Sequence, residues 1–165
     1  MHVFLTGEMK IGKSTALKKA LEKLNLPYDG FFTAWQGDIL YMSAASGSRK
    51  GFPMAERNSY RAKVFPGAFD LVGPKLLSGS GDKLTIMDEL GFLESGSRKF
   101  TSEVTLRLSK KVPVLGVLRD MDTAFLNGIR RRDDVTVLVV TVENRDDIPS
   151  QIVKLIKDQL ERNIR

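Results

Sequence analysis

One octapeptide constrains this chain more than any other feature. Gly7-Glu8-Met9-Lys10-Ile11-Gly12-Lys13-Ser14 satisfies G-x-x-x-x-G-K-[ST] at every fixed position. It follows an apolar stretch, His2 to Thr6, that reads as a buried strand. It precedes Lys13 to Leu24, where Ala16, Leu17, Ala20, Leu21 and Leu24 recur at helical spacing. A strand, a glycine-bearing turn and a helix in this order make a phosphate cradle. Gly7 permits a sharp exit from the strand, and Gly12 lets backbone approach phosphate without an intervening Cβ. Successive N–H groups then converge at a helix N-terminus, where the dipole favours anions. In such a loop Lys13 lies between the β- and γ-phosphates and Ser14 offers its hydroxyl to Mg²⁺. Residues Gly7 to Thr15 are therefore the expected nucleotide-binding segment, with a nucleoside triphosphate and Mg²⁺ as the implied ligands.

The rest of the pattern alternates strand and helix, as an α/β sheet fold requires. Pro27 is expected to stop the first helix. Gly30 to Trp35 and Ile39 to Ala44 read as a hairpin around Gln36-Gly37-Asp38. Ser46 to Tyr60 is polar and rich in Gly, Ser and Arg, and reads as a surface loop. Phe69 to Leu77 and Ser97 to Ser109 read as helices. Val112 to Leu118 and Val135 to Thr141 read as buried strands. Asp122 to Ile129 is expected to be a helix capped by Asp122, and Ile148 to Ile164 a basic amphipathic helix with Ile152, Leu155, Ile156 and Leu160 inward. Residues 1 to 165 are read as one domain, a length that fits one compact unit.

A second element completes the chemistry. Leu84-Thr85-Ile86-Met87-Asp88-Glu89 ends a buried strand in two carboxylates. An acid in that place is the usual partner of a P-loop and holds Mg²⁺. Asp88 takes that role, and Glu89 faces the γ-phosphate, able to orient or deprotonate water. The competing reading is a pair of exposed turn carboxylates.

At this point the residues resemble a known family. They are similar to the small P-loop nucleoside-triphosphatases that include the cancer-related nucleoside-triphosphatase. The likeness begins with His2-Val3-Phe4-Leu5-Thr6-Gly7 and the P-loop and continues at Tyr28-Asp29-Gly30-Phe31-Phe32-Thr33. It recurs at Met87-Asp88-Glu89-Leu90-Gly91 and Glu94. It ends with Ile129-Arg130, Arg132, Asp134-Val135 and Thr141-Val142-Glu143-Asn144-Arg145. The resemblance implies Mg²⁺-dependent hydrolysis of several nucleoside triphosphates with modest base selectivity. It also implies a RecA-like, mostly parallel sheet flanked by helices, with the hairpin inserted after the first helix. Departures fall at Lys10, where the family usually has Gly, at Phe92, where it has Lys, and through Ser46 to Pro66, which is shorter. Lys10 either brings an extra charge near the γ-phosphate or is solvated on the loop's outer rim.

Other candidates stay open. Arg130-Arg131-Arg132 could stabilise transition-state charge, form a nucleic-acid patch, or be a solvated helix C-terminus. Asn144 and Arg145 follow a strand in the place that often borders the base, and are assigned to base or ribose contact. Arg57 and Arg61 could close over phosphates as a lid or be ordinary surface charges. Trp35 reads as a packing residue.

Composition narrows the classes. The chain has no cysteine and a single histidine, His2, so neither a thiol nucleophile nor a histidine-based mechanism is expected. No run approaches the ~20 apolar residues of a membrane helix, and the N-terminus lacks a secretory pattern. The expectation is a cytoplasmic monomer. The net charge of +6 suits an anionic partner, but no RNA-recognition motif with interleaved aromatics supports a nucleic acid. A nucleoside-triphosphate hydrolase is the leading reading. A P-loop nucleoside or nucleotide kinase and a nucleotide-dependent RNA-binding switch are the alternatives.

Overall fold

The computed structural model describes residues 1–47, 50–79 and 81–164, with the side chain of residue 164 left aside. Among these residues eight strands form one sheet in the order β5-β4-β3-β2-β6-β7-β1-β8. In chain order these are β1 (His2–Thr6), β2 (Tyr28–Gln36), β3 (Ile39–Ala44), β4 (Phe52–Arg57), β5 (Ala62–Val64), β6 (Leu84–Leu90), β7 (Val114–Leu118) and β8 (Val135–Val139). The five strands β2, β6, β7, β1 and β8 run parallel, and β3, β4 and β5 extend the sheet as an antiparallel meander.

Among the described residues five helices cover the two faces: α1 (Lys13–Leu24), α2 (Ala68–Leu77), α3 (Arg98–Leu108), α4 (Ala124–Arg130) and α5 (Ile148–Ile164). Leu17, Leu21 and Leu24 of α1 and Ile152 and Ile156 of α5 pack with Val3, Leu5, Leu115 and Val117 on one face. On the other, Phe69 of α2, Phe100 of α3 and Leu126 of α4 pack with Phe4, Phe31 and Met87. The alternation of a strand's side chains explains the division: neighbouring residues such as Phe4 and Leu5 serve opposite layers. This is the mostly parallel, helix-flanked sheet expected from the sequence, with the hairpin directly after α1.

Several expectations need correction. Of the stretch Ser46 to Tyr60 read as loop, Phe52–Arg57 is strand β4, paired to β3 and β5; Ser48 and Arg49 lie outside the described residues. Met54 and Ala55, adjacent in sequence, are both fully buried beside a register shift at Leu40/Tyr41. That breaks the in-out alternation by which strands are recognised. Arg57 lies over the Trp35 ring at 4.5 Å and donates to the Gly37 carbonyl at 3.2 Å, so it packs on the hairpin; Arg61 is exposed beyond it. Helix α1 ends before Pro27, because Asn25 turns left-handed (φ 48°) and its N–H bonds to Leu21 O at 3.0 Å. Thr123, not Asp122, caps α4, its hydroxyl accepting from Leu126 N at 3.2 Å. Strand β8 stops at Val139 and, as a sheet edge, is only half-buried.

His2 is structural. It is 1% exposed; its Nδ1 accepts from Val114 N–H at 3.1 Å and its Nε2 lies 2.9 Å from Leu108 O. One acceptor and one donor are what a neutral ring provides, and burial lowers its pKa. Arg107, also 1% exposed, joins α3 to the starts of β6 and β2 through Thr85 (2.6 Å) and Asp29 (3.1 Å). These buried polar groups lie at the N-terminal ends of the parallel strands.

Candidate active site at the C-terminal ends of the parallel strands

The candidate residues gather at the other end, where open α/β sheets place their ligand crevice. Strand β1 leads into the P-loop. Gly7 has φ 139°, and a Cβ there would lie 2.6 Å from the Val140 carbonyl. The loop thus needs glycine to pass against the end of β8 as well as to turn. Gly12 differs: it has φ 111°, and a Cβ there would meet nothing within 4 Å, so backbone conformation alone demands glycine. No side chain caps α1 and its first turn carries no acid. Its opening N–H groups are therefore available to an anion.

Lys13 is 9% exposed and its ammonium donates to Gly7 O at 2.7 Å and Glu8 O at 2.6 Å. Burial lowers its pKa, opposed by the nearby Glu89 charge. Ser14 donates its hydroxyl to Asp88 Oδ1 at 3.0 Å. Asp88 is 4% exposed, and burial raises its pKa to about 6 against the Ser14 hydrogen bond. Beside it the register of β6 on β7 shifts between Asp88 and Leu90. Thr33 of β2 fixes this turn: its hydroxyl donates to Asp88 O and accepts from Glu89 N, both at 3.1 Å. Glu89 is half-buried, its carboxylate 3.6 Å from Arg119.

Glu94 is buried, and its Oε2 accepts from Gly91 N–H at 3.0 Å. Burial pushes its pKa up to about 7. A carboxyl with a raised folded-state pKa binds more protons folded than unfolded. Stability therefore falls as pH rises from about 4.5 through about 7. Glu94→Gln keeps an oxygen for Gly91 and removes the buried charge. It is expected to melt higher than wild type at pH 8, by on the order of 5 °C, and to converge with it near pH 4. Thermal melts across that range measure this; parallel curves would show that the Glu94 charge has no cost.

The other candidates divide. Lys10 is exposed with φ 61°. Asn144 uses its side chain on its own loop, accepting from Thr141 N and donating to Val139 O, both at 2.8 Å; Arg145 is exposed. That loop borders a cleft of about 320 Å³ beside the P-loop, lined by Gly7, Ile11, Asp120, Val139, Thr141 and Val142. A larger groove, about 560 Å³, lies between α1 and the hairpin; it holds none of Gly7 to Ser14, Asp88 or Glu89. Arg132 is held by Asp134 in two contacts at 2.8 Å and by Leu108 O at 2.7 Å. Arg130 binds Arg119 O at 2.7 Å and Met121 O at 2.8 Å. Both are committed to backbone or ion-pair roles.

Sequence comparison fits this geometry: the sequence profile of a family described as NTPase matches residues 2–153. The chain belongs to the NTPase family. Human cancer-related nucleoside-triphosphatase is 32% identical, with 94% of this chain and 96% of that protein covered. The crystal structure of THEP1 from the hyperthermophile Aquifex aeolicus superposes with a TM-score of 0.80 at 26% identity, covering 94% of this chain and 99% of that one. The solution structure of a human cancer-related nucleoside triphosphatase gives 0.77 at 27% identity, covering 95% and 97%. Two residues of this site carry no signal of their own in the sequence. Thr33 stands out there only within the stretch that resembles the family. Arg119 belongs to no motif, and its one cue is that it directly follows the apolar strand β7, much as Asp88 and Glu89 lie near the end of β6.

Proposed function

We infer that this chain hydrolyses nucleoside triphosphates to the diphosphate and phosphate with Mg²⁺, as a monomer in the cytoplasm, where triphosphates and Mg²⁺ are abundant. The observation that carries the reading is the meeting of the Ser14 hydroxyl and the Asp88 carboxylate at 3.0 Å, beside the P-loop. A hydroxyl and a carboxylate are hard oxygen donors, few enough to leave positions for phosphate oxygens and water, as Mg²⁺ prefers. Among the described residues no group of three or more His, Cys, Asp or Glu side chains offers a competing metal cage. Ser14 and Asp88 are the residues that would hold Mg²⁺, which would supply neutralisation of the triphosphate's charge.

Residues Gly7 to Thr15 bind the phosphates, mainly through backbone N–H groups. Lys13 exchanges its two carbonyl partners for phosphate oxygens. Glu89 accepts a hydrogen bond from water aimed at the γ-phosphorus and takes its proton. The base rests in the cleft bounded by Ile11, Val139 and Val142, apolar surfaces that take the face of any base; this supports modest base selectivity. Asn144 shapes that border, and Arg145 contacts base or ribose from its rim.

The test is steady-state phosphate release from ATP, GTP, CTP and UTP, with and without Mg²⁺ and with and without a nucleoside acceptor. Release without acceptor is expected. Turnover only with acceptor would make the chain a kinase. Asp88→Asn is expected to lower turnover and raise the Mg²⁺ concentration for half-maximal rate by about tenfold or more, the scale of losing a hydrogen bond to a charged group. A variant with wild-type Mg²⁺ dependence would reduce Asp88 to a structural acceptor for Ser14.

A further inference from the structure

We propose that Arg119 is a phosphate-contacting residue of this site, a cation supplied from within the chain that meets the γ-phosphoryl group as charge develops on it. The proposal rests on triphosphate hydrolysis at this P-loop.

Position comes first. Strand β7 lies between β1, which carries the P-loop, and β6, which carries Asp88 and Glu89. Arg119 is the first residue beyond it. Its backbone is fixed from two sides without use of its side chain. Its N–H donates to Leu90 O at 2.9 Å, and its carbonyl accepts from Arg130 at 2.7 Å.

The side chain then spans the gap. Nη1 lies 3.6 Å from Glu89 Oε1, and Nη2 lies 3.5 Å from Met9 Sδ on the P-loop. The guanidinium sits over the Phe92 ring at 5.9 Å. All three partners are weak. The ion pair is long, a thioether is a poor acceptor, and the ring is at the outer limit of a cation–π contact. Three other arginines near the sheet are spent. Arg107 is buried on Asp29 and Thr85, Arg130 on two carbonyls, and Arg132 on Asp134 and Leu108 O. Arg119 is anchored at its backbone and left with a fork of five donors that has no strong acceptor, between the phosphate loop and the water-orienting acid. Phosphate oxygens match that fork in geometry and charge.

The chemistry gives the cation two tasks. Water's oxygen bonds to the γ-phosphorus. The bond to the β–γ bridging oxygen breaks, with its electron pair left on the departing diphosphate. The water proton passes to Glu89 and then to the released phosphate. Charge on the γ-oxygens during this step is what an arginine stabilises. Moving toward phosphate also takes Arg119 off Glu89, which frees that carboxylate oxygen to accept a hydrogen bond from the water.

The experiment uses the full chain and three readouts: phosphate release from ATP–Mg²⁺, equilibrium binding of a non-hydrolysable ATP analogue, and binding of ADP with aluminium fluoride. Arg119→Ala is expected to lose about 10³-fold in kcat, with analogue affinity within about threefold and the aluminium fluoride complex weakened far more. Arg119→Lys should recover only part, since an ammonium lacks the fork. Arg119→Gln serves in place of the alanine variant should that one not fold. Near-wild-type kcat, equal losses in kcat and analogue binding, or full rescue by lysine would overturn the proposal while the functional reading stands. A wild-type chain that releases no phosphate would overturn both.

Discussion

Lys13→Ala is expected to weaken binding of a non-hydrolysable ATP analogue by about two to three orders of magnitude, with the fold intact. Lys13 is 9% exposed, and its ammonium is directed at the loop, on Gly7 O and Glu8 O. Those two bonds hold the charge where β- and γ-phosphate oxygens would take it over. Two charge-assisted hydrogen bonds at about 1.5–2 kcal/mol each sum to about 3–4 kcal/mol, and each 1.4 kcal/mol is a tenfold change. The backbone N–H groups and the α1 dipole remain, so weak binding survives. The cost to stability is small, because Glu8 and its neighbours Met9 and Lys10 are exposed and water can satisfy the freed carbonyls. Isothermal titration beside a melting curve measures both. Unchanged affinity in a folded variant would remove Lys13 from the phosphate site.

How far such a site can be read from sequence depends on how local its determinants are. The P-loop is contiguous, and α1 carries its apolar stripe at regular spacing, so Gly7 to Thr15 and Lys13–Leu24 are legible together. Asp88 and Glu89 are legible because an apolar strand runs straight into them. Strand β4 is not, since Met54 and Ala55 point into the same core across an irregular register and the short strand carries Pro53, Glu56 and Arg57. The α4 cap is ambiguous in sequence because Asp122 and Thr123 are both competent, and only the extended backbone of Thr123 decides it. Arg119 is hidden for a different reason. Nothing near it in sequence resembles a motif, and its place follows from β7 pairing between β1 and β6, contacts made across the whole chain. Asn144 shows the converse: a polar side chain in the candidate base-bordering loop whose hydrogen bonds are already used to build that loop.

Glu89→Gln is the second large effect, and it separates hydrolysis from the other readings. A hydrolase must position water against the γ-phosphate, and this chain has no cysteine and keeps its one histidine buried at the far end of the sheet. Glu89 is the half-buried carboxylate beside Asp88, its backbone N–H pinned to the Thr33 hydroxyl and its side chain facing Arg119. Glutamine preserves the length of the side chain and the Thr33 contact but cannot accept a proton. The lost interaction belongs to the transition state, so kcat should fall by about 10²-fold or more with KM nearly unchanged. Binding should hold or tighten slightly, since removing a negative charge beside a triphosphate cannot repel it. Alanine would be a poorer test, because it also opens space beside Arg119. In a kinase the same residue would act on an acceptor hydroxyl, and phosphate release without acceptor would be low before and after the change. Steady-state phosphate release and equilibrium binding on one preparation decide it. Wild-type hydrolysis in Glu89→Gln would shift the role to another carboxylate. Glu8, exposed on the P-loop itself, is then the first to test, because Glu94 is buried with its carboxylate accepting from Gly91.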